Sequence, residues 1–519
     1  MAVLFRILLL SAAVAGPEAA AFRVLGFFPF NAPSHNSMFK ATMEALADHG
    51  HEVVMLSPFP QKKMRANYTD LDVSSELPSI ANKFTFEDMV SMKSTGMIDL
   101  IVEYAGADFC RAVFLTQHFR DIMAGKHGKF DIVFTEIINS DCWAAVAYKL
   151  NVPLISIASQ PDVACQHERV GAVDNPSYLG VNFETYVGRL SFSQRLVNTA
   201  LYIYFNLAHK FYVQWPSDVV VREFFGEDTP PISELVQRTS LVMNNGHVSI
   251  NPARPMPPNV INVAGIHLKV ARGTLQCDLR RWMDEAEHGV IVFTLGTLVP
   301  SSSLPRASVL ALVEAFSAVP QRVLWKYETE DIKDLLSPNV RTAKWLPQAA
   351  VLAHHKTILF ITHGGLMGTT EAIVLGVPML GIPLFADQPS NIALYKSLGI
   401  AEHLHPRDIS KDSVLAAIRK LTVTDEYRVR SREIAARYLD RPQTAAESAV
   451  WWTEYVVRHR GARHLRPVGA DMPLYQYLLL DVAAAVLAAA AAALLLLRSL
   501  LRALLGLLPL LLRRKEKRQ

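Results

Sequence analysis

The chain has 519 residues, half of them hydrophobic and 19% charged, with a net charge of +4. That length calls for two to three domains, and that apolar content excludes a disordered chain. A nucleic-acid-binding body is also excluded, because residues 498–519 carry seven Lys/Arg against one Glu and leave the rest of the chain at −2.

Four cysteines, Cys110, Cys142, Cys165 and Cys277, form no CxxC pair. Neither a zinc site nor a disulfide scaffold is expected from them; one bridge is open in an oxidising lumen, with its pairing unassigned. Residues 1–21 place Arg6 in a short apolar run closed by small residues, the pattern of a cleaved secretory signal.

Residues 22–265 read as a first α/β domain. A strand at 22–28, a helix at 37–49 with Met38, Phe39, Met43, Leu46 and Ala47 on one side, and a strand at 52–56 make a βαβ opening. Strands at 130–135 and 153–157 flank a helix at 141–150. Residues 160–235 are helical and irregular, rich in aromatics and proline, where a variable acceptor pocket belongs. A Pro-rich linker at 251–259 follows. The pattern restarts in a second domain, 266–455, with strands at 289–295, 322–326, 340–344 and 358–362 and a helix at 305–316. The expectation is an α/β protein of two doubly wound, Rossmann-like domains facing a cleft, where ligands bind at the carboxyl ends of strands.

After a juxtamembrane segment, 456–476, residues 477–497 read YLLLDVAAAVLAAAAAALLLL, long enough to cross a hydrocarbon core of about 30 Å. Arg498, Arg502 and the closing RRKEKRQ follow, so the positive-inside rule places the tail 498–519 in the cytosol and the body in the lumen. Residues 500–512 are too short for a second crossing and are expected in the interface. Lys515 and Lys517, fifth and third from the end, resemble a dilysine retrieval signal of endoplasmic reticulum membrane proteins. The sequon Asn67-Tyr68-Thr69 suits a lumenal glycan.

Most of the chemistry lies in residues 345–388, WLPQAAVLAHHKTILFITHGGLMGTTEAIVLGVPMLGIPLFADQ. A strand at 358–362 runs into the tight turn His363-Gly364-Gly365 and a helix at 366–375. Glycines let backbone approach an anion, and the first helical amides point at it. His363 can donate to a phosphate, Glu371 can accept from two ribose hydroxyls, and Trp345 offers a flat face to a base. Asp387 and Gln388, after another strand, can bond sugar hydroxyls. Each piece alone has a bland use, as turn, core or cap; their order and spacing together make a nucleotide-sugar site.

This stretch resembles the signature of the UDP-glycosyltransferase family, the UDP-glucuronosyl and UDP-glucosyl transferases. Gly265-Ile266-His267-Leu268, Trp451-Trp452-Thr453-Glu454-Tyr455 and Tyr475-Gln476-Tyr477 are similar to the insect-type members. The resemblance implies a GT-B fold and inverting hexosyl transfer, with glucose from UDP-glucose first among donors, to a hydroxyl of a small lipophilic acceptor. It implies that Trp345 stacks on uracil, that Gln348 lies beside the base or ribose, that Glu371 binds the ribose, and that His363 with the amides near Gly364 and Gly365 holds the diphosphate, approached also by Gly296-Thr297. Asp387 and Gln388 take the sugar. Where the family often has Ser or Asn before Thr369, this chain has Met367 and Gly368, so Thr369 or Thr370 and backbone amides are expected to substitute. A homo-oligomer is a further implication.

On the acceptor side the resemblance places the general base at His35, in the loop after the first strand, with a carboxylate from the loop after the strand at 130–135 to fix its tautomer. Asp141 keeps the family's residue type and is the choice; Glu136, nearer the strand end, is the runner-up. With no DxD motif in the donor region, neither metal nor cofactor is expected, the UDP-sugar being a co-substrate. The competing reading is a noncatalytic lipophile-binding protein on the same fold, which does not need His35, the loop acid or Asp387-Gln388.

Overall fold

The computed structural model describes residues 21–137, 140–161, 167–171, 175–181, 183–269 and 275–516. All but the last residue of the expected signal segment, together with Cys165 and Lys517, lie outside them.

Two parallel sheets build the unit that ends at Arg466. The first has seven strands in the order β3-β2-β1-β4-β5-β6-β7. They are β1 (Arg23–Phe27), β2 (Glu52–Ser57), β3 (Tyr68–Asp72), β4 (Ile132–Glu136), β5 (Leu154–Ala158), β6 (Thr239–Asn244) and β7 (Val260–Asn262). The second has six in the order β10-β9-β8-β11-β12-β13. These are β8 (Val290–Thr294), β9 (Arg322–Lys326), β10 (Val340–Ala343), β11 (Thr357–Thr362), β12 (Met379–Gly381) and β13 (Ala401–His403). The central strands IVFTE, LISIA and VIVFT are buried along their whole length, as parallel sheets covered by helices on both faces require.

In each sheet the strand order reverses direction beside the first strand of its domain. β1 lies between β2 and β4, with Phe27 opposite Thr135. β8 lies between β9 and β11, with Thr294 opposite Thr362. Such reversals splay the following connections to opposite faces and leave a crevice at the carboxyl ends of the paired strands.

The helices used below are α1 (Pro33–Asp48), α2 (Met97–Ala105), α3 (Ala107–Phe114), α4 (Ala144–Leu150), α5 (Phe192–Ala208), α6 (Gln348–Leu352), α7 (Leu366–Val374), α8 (Gln388–Ser397), α9 (Ala445–Arg458) and α10 (Leu480–Glu516). Sequence reading assigned everything to residue 455 to the second domain. The structure instead lays α9 on the first: Ala445, Ala449, Val450 and Val456 join Met38, Ala41, Ala45 and the β1–β2 side chains in one core. The apolar face of α9 is buried there, on α1, and its Glu454 pairs with His51 of the first domain at 3.3 Å.

The cysteine pairing left open by the sequence is Cys110–Cys142, tying α3 to the segment just before α4, while Cys277 is free and exposed. Asn67 of the sequon is exposed and enters β3 with φ +57°.

Residues 467–519 form a second unit. Leu479, at φ +55°, precedes α10, so the helix starts three residues later than the span expected from sequence. It also passes without interruption through Arg498 and Arg502. Leu480–Gly506 is apolar and long enough to cross a membrane, and none of it is buried against protein.

Candidate active site

α1 begins at Pro33, whose fixed φ suits a first helical position. His35 therefore sits in the first turn of a helix and not in a loop. The register of β1 on β4 brings the segment after β1 against the end of β4. That end is Glu136, 2% exposed, and its Oε1 lies 2.5 Å from His35 Nδ1. Ser159, just past β5, closes the group: its Oγ is 3.2 Å from Glu136 Oε1 and 3.1 Å from His35 Nδ1. Burial pulls the His35 pKa down, but the charge and hydrogen bond of Glu136, helped by the charge of Asp387, outweigh it and hold it above the ordinary 6.5.

Asp141, the sequence choice for this partner, is placed elsewhere. It is 4% exposed and ion-paired to Arg169, with Gln214 Nε2 at 2.7 Å from Oδ2 and His209 Nε2 at 3.7 Å. Although burial raises its pKa, the charges of Arg169 and His209 and the hydrogen bonds from Gln214 and Arg169 more than reverse this, so it stays ionised. The physical reason is the strand end. β4 runs one residue beyond the expected 135, which makes Glu136 the last strand residue at the crevice, whereas Asp141 has already turned into the interior beside Cys142. Nor is it a helix cap, since Trp143 occupies that position on α4.

The second domain supplies the other wall of the same cavity, about 680 Å³ in volume. Trp345 lines it with 68% of its surface exposed, as a stacking platform needs. Gln348, first residue of α6, donates from Nε2 to Glu371 Oε2 at 2.7 Å across to α7. Burial raises the Glu371 carboxyl to about 7, with the Gln348 bond opposing. At Gly368, where the resemblance led to Ser or Asn, a Cβ would lie 2.8 Å from Gln348 Nε2, the movable end of that side chain. Met367 reaches the first domain, its sulfur accepting from Asn245 Nδ2 at 3.5 Å.

β11 ends at Thr362, whose hydroxyl accepts from the Gly364 amide at 3.2 Å in a turn with Gly364 at φ +89°. Gly364 is buried and its amide is spent on this turn. The amides that open α7 have no side-chain cap. His363 Nδ1 is buried without a hydrogen-bond partner. Burial and the neighbouring Lys326 charge depress His363 to about 4, so it is a neutral donor. A Cβ on Gly296 or Gly365 would fall 2.6 Å or 2.5 Å from the His363 ring; both glycines are required for this packing. Gly296 and Thr297 line the cavity as expected. Thr369 does not. It is fully buried, and its hydroxyl is shared among Gly365 O, Leu366 O and Tyr395 Oη at 3.1 Å each. It is an interior residue of α7, and Thr370 likewise bonds Leu366 O at 2.7 Å.

Asp387 and Gln388 both line the cavity at the start of α8. Asp387 Oδ2 accepts from Asn391 Nδ2 at 2.7 Å, and burial raises its pKa against that bond and the charge of His35. Gln388 Oε1 accepts from the amides of Leu384 and Phe385 at 2.9 Å and 3.2 Å. Lys326, at the end of β9, was missed by sequence reasoning. It is 7% exposed and lines the cavity, and its Nζ donates to Gly296 O at 2.9 Å and Glu328 Oε1 at 2.7 Å. The available signal was a cation closing the otherwise apolar strand RVLWK at the crevice end of a parallel sheet. Phe30, Phe84, Leu100, Ile101 and Tyr104 also line the cavity, beside Lys40 and Lys62.

The family model described as UDP-glucoronosyl and UDP-glucosyl transferase matches residues 28–505. UDP-glucosyltransferase 2 of Dactylopius coccus is 38% identical over 88% of this chain and 88% of its own length. UDP-glucuronosyltransferase 2B15 of Rattus norvegicus is 31% identical over 86% and 87%. Among solved structures, the glycosyltransferase VinC in complex with dTDP superposes with a TM-score of 0.58 at 16% identity, covering 84% of this chain and all of that one. A UDP-glucosyltransferase from Polygonum tinctorium gives 0.57 at 15%, over 85% and 99%. At that identity the superpositions speak for the GT-B fold alone. The matched span and the relatives' identity go further: this chain belongs to the UDP-glucuronosyl and UDP-glucosyl transferase family and is a UDP-sugar-dependent glycosyltransferase.

Proposed function

We propose that the chain transfers glucose from UDP-glucose, with inversion, to a hydroxyl of a small lipophilic acceptor, with His35 as general base and Glu136 as its partner. The observation that carries this reading is the 2.5 Å contact between His35 Nδ1 and Glu136 Oε1 in a cavity that also holds Gln348, Glu371 and His363. With Nδ1 committed to Glu136, Nε2 takes the acceptor proton, and Glu136 fixes the tautomer and stabilises the imidazolium. The alkoxide oxygen bonds to the anomeric carbon as its bond to UDP breaks. The α7 amides, neutral His363 and Lys326 stabilise the leaving diphosphate. Trp345 stacks on the base, Glu371 accepts from the ribose, and Asp387 with Gln388 Nε2 holds the sugar. Glucose is favoured by the insect-type resemblance and by the higher identity to a relative named a glucosyltransferase. α10 anchors the chain in the endoplasmic reticulum membrane with the body lumenal, in keeping with its apolar length and basic end.

The test is an assay of membranes carrying the full chain, with labelled UDP-glucose, UDP-glucuronate and UDP-galactose, against phenols and steroid alcohols. Glucoside formation is expected. Transfer of glucuronate alone would overturn the donor assignment. Donor binding without transfer to any acceptor would favour a lipophile carrier.

A further inference from the structure

The first lobe's share of the active-site cavity carries cations that the transfer mechanism does not use. α1 presents Pro33, Ser37 and Lys40 to the cavity, and spacings of four and three residues keep them on one side of the helix. Lys40 lies five residues beyond His35, about 7.5 Å along the helix axis. Lys62, in the connection after β2, lines the same cavity. Lys40 is half-buried and Lys62 is exposed. The other first-lobe walls include Phe30, Phe84 and, from α2, Ile101 and Tyr104.

Among the described residues neither lysine forms an ion pair. The acids on neighbouring turns have other partners. Glu44 accepts from Gln61 Nε2 at 2.8 Å and pairs with Arg65 at 3.4 Å, and Asp48 also pairs with Arg65. Asp70 Oδ2 accepts from the Gln61 amide at 3.0 Å, and the Lys40 charge reaches Asp70 without an ion pair. Glu136 is bonded to His35 and does not line the cavity. The acids that do line it, Glu371 and Asp387, belong to the second lobe, where the reading above gives them to the donor. The acceptor end therefore sets two ammonium groups beside aromatic walls and lines them with nothing of opposite sign.

We infer that the acceptor is an aromatic hydroxy acid, its carboxylate held by Lys40 and Lys62 while its hydroxyl faces His35. The inference rests on the transfer reading above and narrows its acceptor. A neutral lipophile would cover the aromatic walls but strip water from the lysines without replacing it. A carboxylate on the same molecule supplies charge-assisted hydrogen bonds to both. The offset between His35 and Lys40 asks for a hydroxyl and a carboxylate at opposite ends of a fused-ring system, not on adjacent carbons. In the transfer, the hydroxyl oxygen bonds to the anomeric carbon as its bond to UDP breaks, and the hydroxyl proton passes to His35 Nε2. The carboxylate is unchanged, so the product is an aryl glucoside that keeps its acid and not a sugar ester.

The full chain, solubilised in detergent, is given UDP-glucose with 6-hydroxy-2-naphthoate, its methyl ester or 2-naphthol. Binding is followed by naphthol fluorescence, and products by mass and by stability to base. The acid should bind more tightly than the ester by about three- to tenfold, the worth of ion pairs at a partly exposed site, with the difference in KM rather than kcat. The ester withdraws electrons as the acid does, so it controls for the reactivity of the hydroxyl. Lys40→Met with Lys62→Met should bring the acid-to-ester ratio to about one while UDP affinity persists, and Lys40→Arg with Lys62→Arg should keep the preference. Equal binding of acid and ester by the wild type overturns the proposal and leaves the transfer reading standing, as does a preference that survives the Met changes. A base-labile sugar ester, which would put the carboxylate at His35, overturns it too. Acid binding that the Met changes abolish, with no transfer to any acceptor, would support the anion site and sink the transfer reading instead.

Discussion

Replacing Glu136 by Gln tests the catalytic assignment without emptying the site. The amide keeps the shape and an acceptor oxygen but loses the charge on which His35 depends. A hydrogen bond to a charged group is worth about 1.5–3 kcal/mol, or roughly 10- to 160-fold in rate if it is lost from the transition state. The pH profile should move the other way. In the wild type His35 is held above 6.5 because Glu136 outweighs burial. Activity requires neutral His35, so the wild-type rate falls as pH drops through that raised value. Without the Glu136 charge, burial dominates and the acid limb of kcat/KM shifts to lower pH, even as the plateau drops. The assay is kcat/KM against pH with an aliphatic alcohol and a phenol, beside a UDP titration. The aliphatic acceptor should show the full loss, the phenol less of it, and UDP affinity should hold. An unchanged plateau with the aliphatic alcohol, or an acid limb that stays in place, would refute the pairing.

Asp141→Asn should leave the His35 limb where it is and instead lower stability by about 3–5 kcal/mol, the usual result of stranding a buried partner such as Arg169; thermal unfolding beside the pH profile separates the two. Trp345→Ala should weaken UDP by about 1–3 kcal/mol, the worth of a base–aromatic stack, while Tm stays put because the ring is mostly exposed. Glu371 sits at about 7 through burial, and ribose hydroxyls favour its ionised form. Uridine, which has no phosphate to titrate, should therefore bind more weakly as pH falls through 7, approaching tenfold per unit, and Glu371→Gln should flatten the dependence; a flat wild-type curve would count against the ribose contact.

The central strands and the donor turn were legible because buried parallel strands are written as unbroken apolar runs that stop at a glycine or a polar residue. Trp345, Gln348, His363, Glu371, Asp387 and Gln388 all reach one cavity, as their order in the sequence implied. What failed were questions of facing. Asp141 was preferred to Glu136 for its residue type, but position decides: Glu136 ends β4 beside His35, while Asp141 is turned to Arg169. Thr369, within α7, bonds Tyr395, and Gly364, in the turn before it, is packed close to Ile392; both are buried, which no motif encodes. Residues 160–235, read as helical and irregular, contain a continuous helical stretch from Phe192 to Phe225, whose bounds no clear amphipathic period marks because apolar residues are both buried and exposed along it.

The return of α9 to the first domain bears on how such an enzyme can be recombined. The chain enters the second lobe near residue 265 and leaves it before Ala445, and Phe86 and Met89 from the first lobe's stretch of sequence are also buried in the second lobe's core, so that lobe is not simply a carboxyl-terminal half. A chimera joined at a single point near residue 265 would carry a foreign α9 against a native α1, exposing or overfilling the seam formed by Ala41, Ala45, Ala449 and Val450. Exchange of donor specificity between relatives should be cleanest with two junctions, leaving α9 with its own amino-terminal lobe. The packing thus defines a cassette for engineering, with boundaries that a linear halving of the sequence would misplace.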